Sequence, residues 1–200
     1  HKPTKGVIRL NDNIVEIPSP IVAQELGIAL IHQEPISFSH LSVAENLVMG
    51  KKGNGLLGWI NWAEMVEHAR QQMQILGVEI DVNRPMEGLS IADQQMVEIA
   101  RAIASDARLI IMDEPTAALA IKEVGKVLDL INGLKKTGVG VIVISHRMDD
   151  IFTVCDRVMA LFQGTNFAES ELSKTSRDEV IGWIMGKKSV SYTHLTLPTN

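Results

Sequence analysis

One cysteine, Cys155, in 200 residues leaves no pair of thiols for an internal disulfide and fits a reducing compartment. Cys155 itself reads as a small buried apolar residue rather than as a reactive thiol. Basic charge is also short. Nineteen Lys and Arg stand against 24 Asp and Glu, a formal net charge of −5. That argues against a nucleic-acid surface as the main function, because phosphate backbones are bound by clustered Lys and Arg. No apolar run approaches the ~18 residues of a membrane span, so any membrane association is expected to be peripheral. No signal-peptide pattern, internal repeat or low-complexity segment is visible in these residues. The phosphate-cradling pattern G-x-x-x-x-G-K-[ST] does not occur. Lys2 and Lys5 beside Gly6 do not replace it, because they precede a hairpin rather than a helix.

What is present is enough apolar content, 46%, to build the core of one domain or most of one. Val7 to Leu10 and Ile14 to Ile17 flank Asn11-Asp12-Asn13, which predicts a hairpin. Ser19-Pro20 offers an N-cap and a first helical residue, Gly27 a helix stop, and Ile28 to Ile31 a buried strand leading into Gln33. From Pro35 to about Ala104 the pattern is mostly helical. Met65, Val66, Ala69, Met73 and Leu76 recur on one face of 62–76. Met96, Val97, Ile99, Ala100 and Ile103 do the same after Ser90.

A βαβ unit follows. The apolar run Leu109-Ile110-Ile111-Met112 ends in Asp113-Glu114. A helix carrying Val124, Val127, Leu128, Ile131 and Leu134 comes next, favoured at its end by Lys135 and Lys136 and stopped by Gly138. The second strand, 139–144, is apolar throughout and reads as central and covered on both faces. It delivers Ser145-His146-Arg147. The right-handed crossover rule puts both strands in one sheet and brings Glu114 and His146 to the same edge, where open parallel sheets bind ligands. Adjacent carboxylates at such an edge suit a hydrolytic phosphate site, one for Mg²⁺ and one to take a proton from water, although strand ends also carry acids for solubility alone. Ser90-Ile91-Ala92-Asp93 reads as a capping box, with Asp93 reaching back to the Ser90 backbone. A capped helix start also exposes amides that bind phosphate.

In order and spacing, Ile31-His32-Gln33-Glu34, Leu89-Ser90-Ile91-Ala92-Asp93-Gln94-Gln95, Leu109 to Thr116 and Ser145-His146-Arg147 resemble the Q-loop, signature, Walker B and switch-histidine elements of the ABC ATPases. The likeness runs from residue 1 to about 188 and is greatest to the N-terminal nucleotide-binding half of the bacterial sugar-import ATPases (ribose, galactose and xylose type). It implies an α/β P-loop NTPase fold with a largely parallel sheet, a partial N-terminal antiparallel β part and an inserted helical subdomain at about 36–104. It implies ATP and Mg²⁺ as cofactors, an ATP-hydrolysing role in sugar import, and a peripheral place on the cytoplasmic face of the inner membrane. The implied partners are a second nucleotide-binding half (on the same chain or as a dimer), a transmembrane permease and, indirectly, a sugar-binding protein; nucleic acid is not among them.

Residue by residue, the resemblance makes Asp113 the Mg²⁺-holding aspartate, Glu114 the general base, His146 the γ-phosphate contact and Gln33 a metal- or water-touching sensor. Ser90, Ile91, Ala92, Asp93 and Gln94 become the element that contacts ATP held by the opposite domain. The commoner pattern has two glycines and a glutamine where Ile91, Ala92 and Asp93 stand, which makes this a variant signature. Ala117 to Ala120 falls at the inter-domain D-loop, with an alanine, Ala120, where many relatives are polar. Residues 33–50 are expected to transmit the nucleotide state to the permease. Phe38 to Val43 fits a docking surface or, equally, a buried helix start. The family spacing sets the missing phosphate loop roughly a dozen residues before His1. The 200 residues alone are therefore expected to bind MgATP weakly. Residues 191–200 depart from the family pattern and resemble translated adapter DNA, so 189–200 are expected to be non-native. Two other functions remain open at this stage. A soluble ABC ATPase acting on ribosomes or DNA would carry basic inserts or coiled-coil arms, which are not seen. A non-catalytic partner would donate Ser90 without hydrolysing its own ATP.

Overall fold

A computed structural model describes residues 3–49 and 61–187. The expectation for residues 189–200, and Gly50 at the end of the expected transmitting segment, lie outside the described residues. The chain divides into two compact units, His1–His146 and Arg147–Asn200.

The first unit opens with the expected hairpin. Strand β1 (Ile8–Leu10) pairs antiparallel with β2 (Asn13–Val15), Ile8 opposite Val15. Asn11 and Asp12 make the turn at φ 49° and 64°, the left-handed region their short polar side chains tolerate better than most. Helix α1 (Pro20–Glu25) is capped by Ser19, whose Oγ accepts from Val22 N at 3.4 Å. Gly27, at φ +77°, turns the chain into β3 (Ile28–Ile31).

Strands β3, β4 (Leu109–Asp113) and β5 (Gly140–Ile144) form a parallel sheet in that order. Their register is regular: Ile31 lies opposite Met112, Met112 opposite Val143, and Asp113 opposite Ile144. Helix α4 (Ile91–Ala104) packs on β3, helix α5 (Ile121–Lys136) packs on β5, and the two helices pack on each other. Because side chains alternate along a strand, the helix-covered face takes Ile31, Ile110 and Met112, all fully buried. Each such side chain contributes about 1.5–3 kcal/mol over its exposed state. From α5 the same core receives Val124, Val127, Leu128, Ile131 and Leu134.

One sequence expectation needs correction. β5 reads as a central strand covered on both faces. Among the described residues it is instead an edge strand, and Ile142 and Ile144 are about half exposed, as is Leu30 on β3. The described residues cover one face of this sheet and not the other. The stretch 35–104 reads as mostly helical. The structure has α2 (Val43–Val48), α3 (Trp62–Ile75) and α4, with a non-helical segment over 76–90. Its Val78, Val82, Met86 and Leu89 are buried, and its backbone pairs with the start of α2 (Val43 N to Arg84 O, 3.0 Å; Ala44 N to Val82 O, 2.9 Å). Ser42 caps α2 through a full box, donating its own N–H to Glu45 while its Oγ accepts from Glu45 N. The Ser42 hydroxyl also donates to the Glu45 carboxylate at 2.7 Å, and this bond together with the one from Ser42 N holds the Glu45 carboxyl below the ordinary glutamate range.

The second unit holds elements that the pattern reading does not assign. Helix α6 (Met148–Val154) is followed by β6 (Arg157–Phe162) and β7 (Thr165–Glu171), an antiparallel hairpin, and then by α7 (Arg177–Ile184). Gln163 and Gly164, at φ 48° and 77°, form its two-residue turn. Ala160, Val180 and Trp183 make a small core with Phe152, Val158 and Phe167 against it.

Candidate functional site: a carboxylate and a histidine at the sheet edge

The register of the three parallel strands decides where the candidate residues emerge. Gln33 follows β3 by two positions, Asp113 ends β4, Glu114 follows it, and His146 follows β5 by two. All four leave neighbouring strands at their C-terminal ends, the edge that open α/β sheets use for ligands.

At this edge the structure makes one close side-chain contact. Glu114 N donates to Ile144 O at 2.8 Å, extending the β4–β5 ladder by one bond. Its φ is 48°, left-handed and unusual for a glutamate. Such backbone persists only where its surroundings hold it. From there the carboxylate reaches across to the end of β5. Oε1 accepts from the His146 backbone N–H at 3.2 Å and lies 2.7 Å from His146 Nδ1. A carboxylate oxygen accepts, so the Nδ1 side of the ring donates in this contact and Nε2 takes no part in it. The Glu114 side chain is 18% exposed and that of His146 is 76% exposed. Oε2 of Glu114 is buried and has no hydrogen-bond partner. One oxygen thus fixes the carboxylate, while the other is a buried acceptor left without a partner.

Asp113 is half-buried at the strand end, and Gln33 is exposed in the bend after β3. Among the described residues no group of three acidic, His or Cys side chains could hold a metal unaided. That is compatible with Mg²⁺, which is held by one or two carboxylates together with substrate phosphates and water.

The signature segment sits elsewhere in the unit, and no hydrogen bond among the described residues joins it to Glu114 or His146. Ser90 is the N-cap of α4, with Oγ accepting from Asp93 N at 3.1 Å. Of the expected capping box only this half forms: the structure has no bond from the Asp93 carboxylate back to the Ser90 backbone. Ser90 and Ile91 are exposed, whereas the Ala92 methyl is buried in the core. Gln94 donates through Nε2 to Leu89 O at 3.1 Å. Asp93 instead lines a cleft of about 1090 Å³ between α3, α4 and α5. None of Gln33, Asp113, Glu114 and His146 lines that cleft. In the D-loop stretch, Ala117 N donates to Glu114 O at 3.1 Å and Leu119 N to Thr116 O at 3.2 Å, a tight turn that leads to α5.

The sequence profile of the ABC transporter family matches residues 1–117. The chain belongs to this family. Among its curated relatives is the ribose import ATP-binding protein RbsA of Bacillus subtilis (strain 168), 39% identical over 188 residues, which cover 94% of this chain and 38% of that protein. The ribose import ATP-binding protein RbsA 1 of Streptomyces coelicolor is 42% identical over 187 residues, 94% of this chain and 37% of that protein. The chain thus spans just over a third of the length of these relatives. Among solved structures, the ADP conformation of MJ1267, an ATP-binding cassette of an ABC transporter, superposes with a TM-score of 0.76 at 25% identity, covering 92% of this chain and 75% of that one. This ABC-cassette fold is the P-loop NTPase α/β class that the sequence implied.

Sequence reasoning passed over three buried polar residues that shape this ABC unit. Asn46 and Gln95 are each 1% exposed, and Glu98 is 4% exposed. The signal was available, since each interrupts an apolar helix face.

Proposed function

We propose that this chain is a nucleotide-binding half of an ATP-binding subunit that energises sugar import through an ABC transporter, peripheral to the cytoplasmic face of the membrane. The observation that carries the reading is the Glu114–His146 pair: one carboxylate oxygen fixed, the other buried and unbonded, one residue after Asp113 at the edge of a parallel sheet. The likeness to ribose import ATP-binding proteins supports a sugar, with ribose as the first candidate.

In this reading Glu114 accepts a proton from the water that attacks the γ-phosphate, using the oxygen that His146 leaves free. His146, its ring oriented by Nδ1, presents Nε2 toward the phosphate side. Asp113 and Gln33 would hold Mg²⁺, which when bound neutralises charge on the phosphate oxygens. Ser90 to Gln94 would meet the nucleotide held by a second half, through the exposed Ser90 hydroxyl and the free amides of the helix start. The buried Ala92 can take part through its backbone alone. Partners of this reading are the second half, the permease and a sugar-binding protein.

The test uses the protein encoded by the full reading frame containing this chain, reconstituted with its permease in liposomes. ATP-driven uptake of radiolabelled ribose is expected. Glu114→Gln should lower turnover by about 10²–10⁴ while ATP still binds. Unchanged turnover in that variant would remove Glu114 from the chemistry and leave a non-catalytic nucleotide-binding partner.

A further inference from the structure

Three residues after Gln33, the backbone of Ile36 is gripped from the signature helix. Ile36 N donates to Glu98 Oε1 at 2.5 Å, across 62 positions of sequence. One turn further along α4, Arg101 Nη1 donates to Ile36 O at 3.5 Å, and Nη2 donates to the same Glu98 oxygen at 3.4 Å. Both polar groups of one residue's backbone are therefore held by two side chains of a single helix. The grip is buried on the glutamate side: the Glu98 side chain is 4% exposed and that of Arg101 is 29% exposed. Burial raises the Glu98 carboxyl above the usual glutamate range, opposed by Arg101, the Ile36 N–H and His32. A carboxylate in that position is retained at the expense of apolar packing.

The connection from this grip to Gln33 is short and stiff. Only Glu34 and Pro35 intervene; proline fixes its own φ and restricts the residue before it. At its other end the same helix begins at Ser90, eight residues and about 12 Å away along a rigid rod. Beyond the grip, Asn46 Oδ1 accepts from Phe38 N at 2.8 Å, and its Nδ2 donates to Phe38 O at 3.1 Å, so the loop has a second anchor on α2. Ile36 and Phe38 themselves are more than half exposed, so neither side chain is what holds this loop down.

We propose that Glu98 is a positioning residue: with Arg101 it locks the Ile36 backbone to α4, so that the Gln33 loop and the Ser90 end of that helix move as one body. A displacement at either end reaches the other without passing through the nucleotide. This rests on the reading of Gln33 and Ser90 as parts of one ATP-driven cycle, and the test separates the two claims.

The full-reading-frame protein is used, with Cys155→Ser as background for labelling. Nitroxides at Glu34→Cys and Ile91→Cys report the loop-to-helix distance by pulsed electron resonance. Activity is measured on unlabelled protein. One narrow distance is expected in the parent and in Glu98→Gln, which keeps an oxygen acceptor for Ile36 N–H. Glu98→Leu, similar in bulk but without an acceptor, should broaden it. In the same variant kcat should fall by about tenfold to a hundredfold while KM for ATP changes less than about twofold, and Glu98→Gln should recover most of kcat. Arg101→Gln, which leaves the buried helix face intact, should give the same two changes in smaller measure and replaces Glu98→Leu should that protein not fold. A distance that stays narrow in a folded Glu98→Leu, one already broad in the parent, or a broadened distance with full kcat would each overturn the proposal. A parent without ATPase activity would overturn the functional reading instead, and the distances would still decide the lock.

Discussion

The Glu114 carboxylate accepts two hydrogen bonds from one residue, His146, and on one oxygen. The backbone bond alone would leave the carboxylate free to swing about it. The ring bond removes that freedom, so the histidine sets the orientation of the carboxylate proposed as the base.

His146→Ala should lower ATP turnover in the full protein by about 10²-fold or more, close to the loss from Glu114→Gln. The double variant should be little worse than either single one, because the two residues act as a unit. His146→Asn, which keeps a short N–H donor, should retain more turnover than alanine does. Steady-state ATPase assays on the four proteins read this directly, and losses that multiply would separate the pair.

Stability should respond to pH through Glu98. Its folded carboxyl titrates above the unfolded one, so between those two values the native state holds more protons than the unfolded state. Its contribution is therefore fully present below the unfolded glutamate range and is lost as pH rises through the raised folded value. Glu98→Gln lacks this titration. Urea denaturation from pH 4 to 8 should show the parent losing stability relative to Glu98→Gln as pH rises, then running parallel to it.

Asn46→Leu should destabilise the first unit by about 3 kcal/mol or more, because Phe38, Leu41 and Ser42 lose the partner of buried backbone groups. Asn46→Asp should also be harmful, since it sets an acceptor against three carbonyls. Equilibrium denaturation checks both, and a loss under about 1 kcal/mol would mean that water replaces the amide.

Gly186→Ala should destabilise the second unit. A Cβ there would lie 2.7 Å from the Phe162 ring, and φ is +73°. The control is Gly125→Ala in α5, where a Cβ meets nothing within 4 Å. It should stabilise by about 0.5–1 kcal/mol. The two midpoints should move in opposite directions.

The parallel strands, their helices and the meeting of Glu114 with His146 were legible because each rests on a strong local signal: an unbroken apolar run, a capped apolar face, a short crossover. The surroundings of β5 were not, since an apolar run states what a strand prefers and not what covers it. Residues 76–90, between the two expected helices, are not assigned from the sequence because their backbone pairs with the start of α2, a partner distant in sequence. Glu98 and Asn46 each break an apolar helix face, which is legible, but the backbone groups they hold at Ile36 and Phe38 have no signature in the sequence. Ser42 is the counter-example. Its box with Glu45 lies within four residues and could have been read, as the one at Ser90 was, although there only half of it forms.

The one-for-one register of β4 and β5 makes folding check its own result. Slide β5 by a single residue and Met112 no longer faces Val143, Asp113 loses Ile144, and the Glu114 N–H loses the carbonyl that holds its left-handed turn. His146 would then be carried out of reach on the same step. A misregistered chain therefore loses the candidate site together with its stability, and a population that displays the Glu114–His146 contact has already paired its sheet correctly.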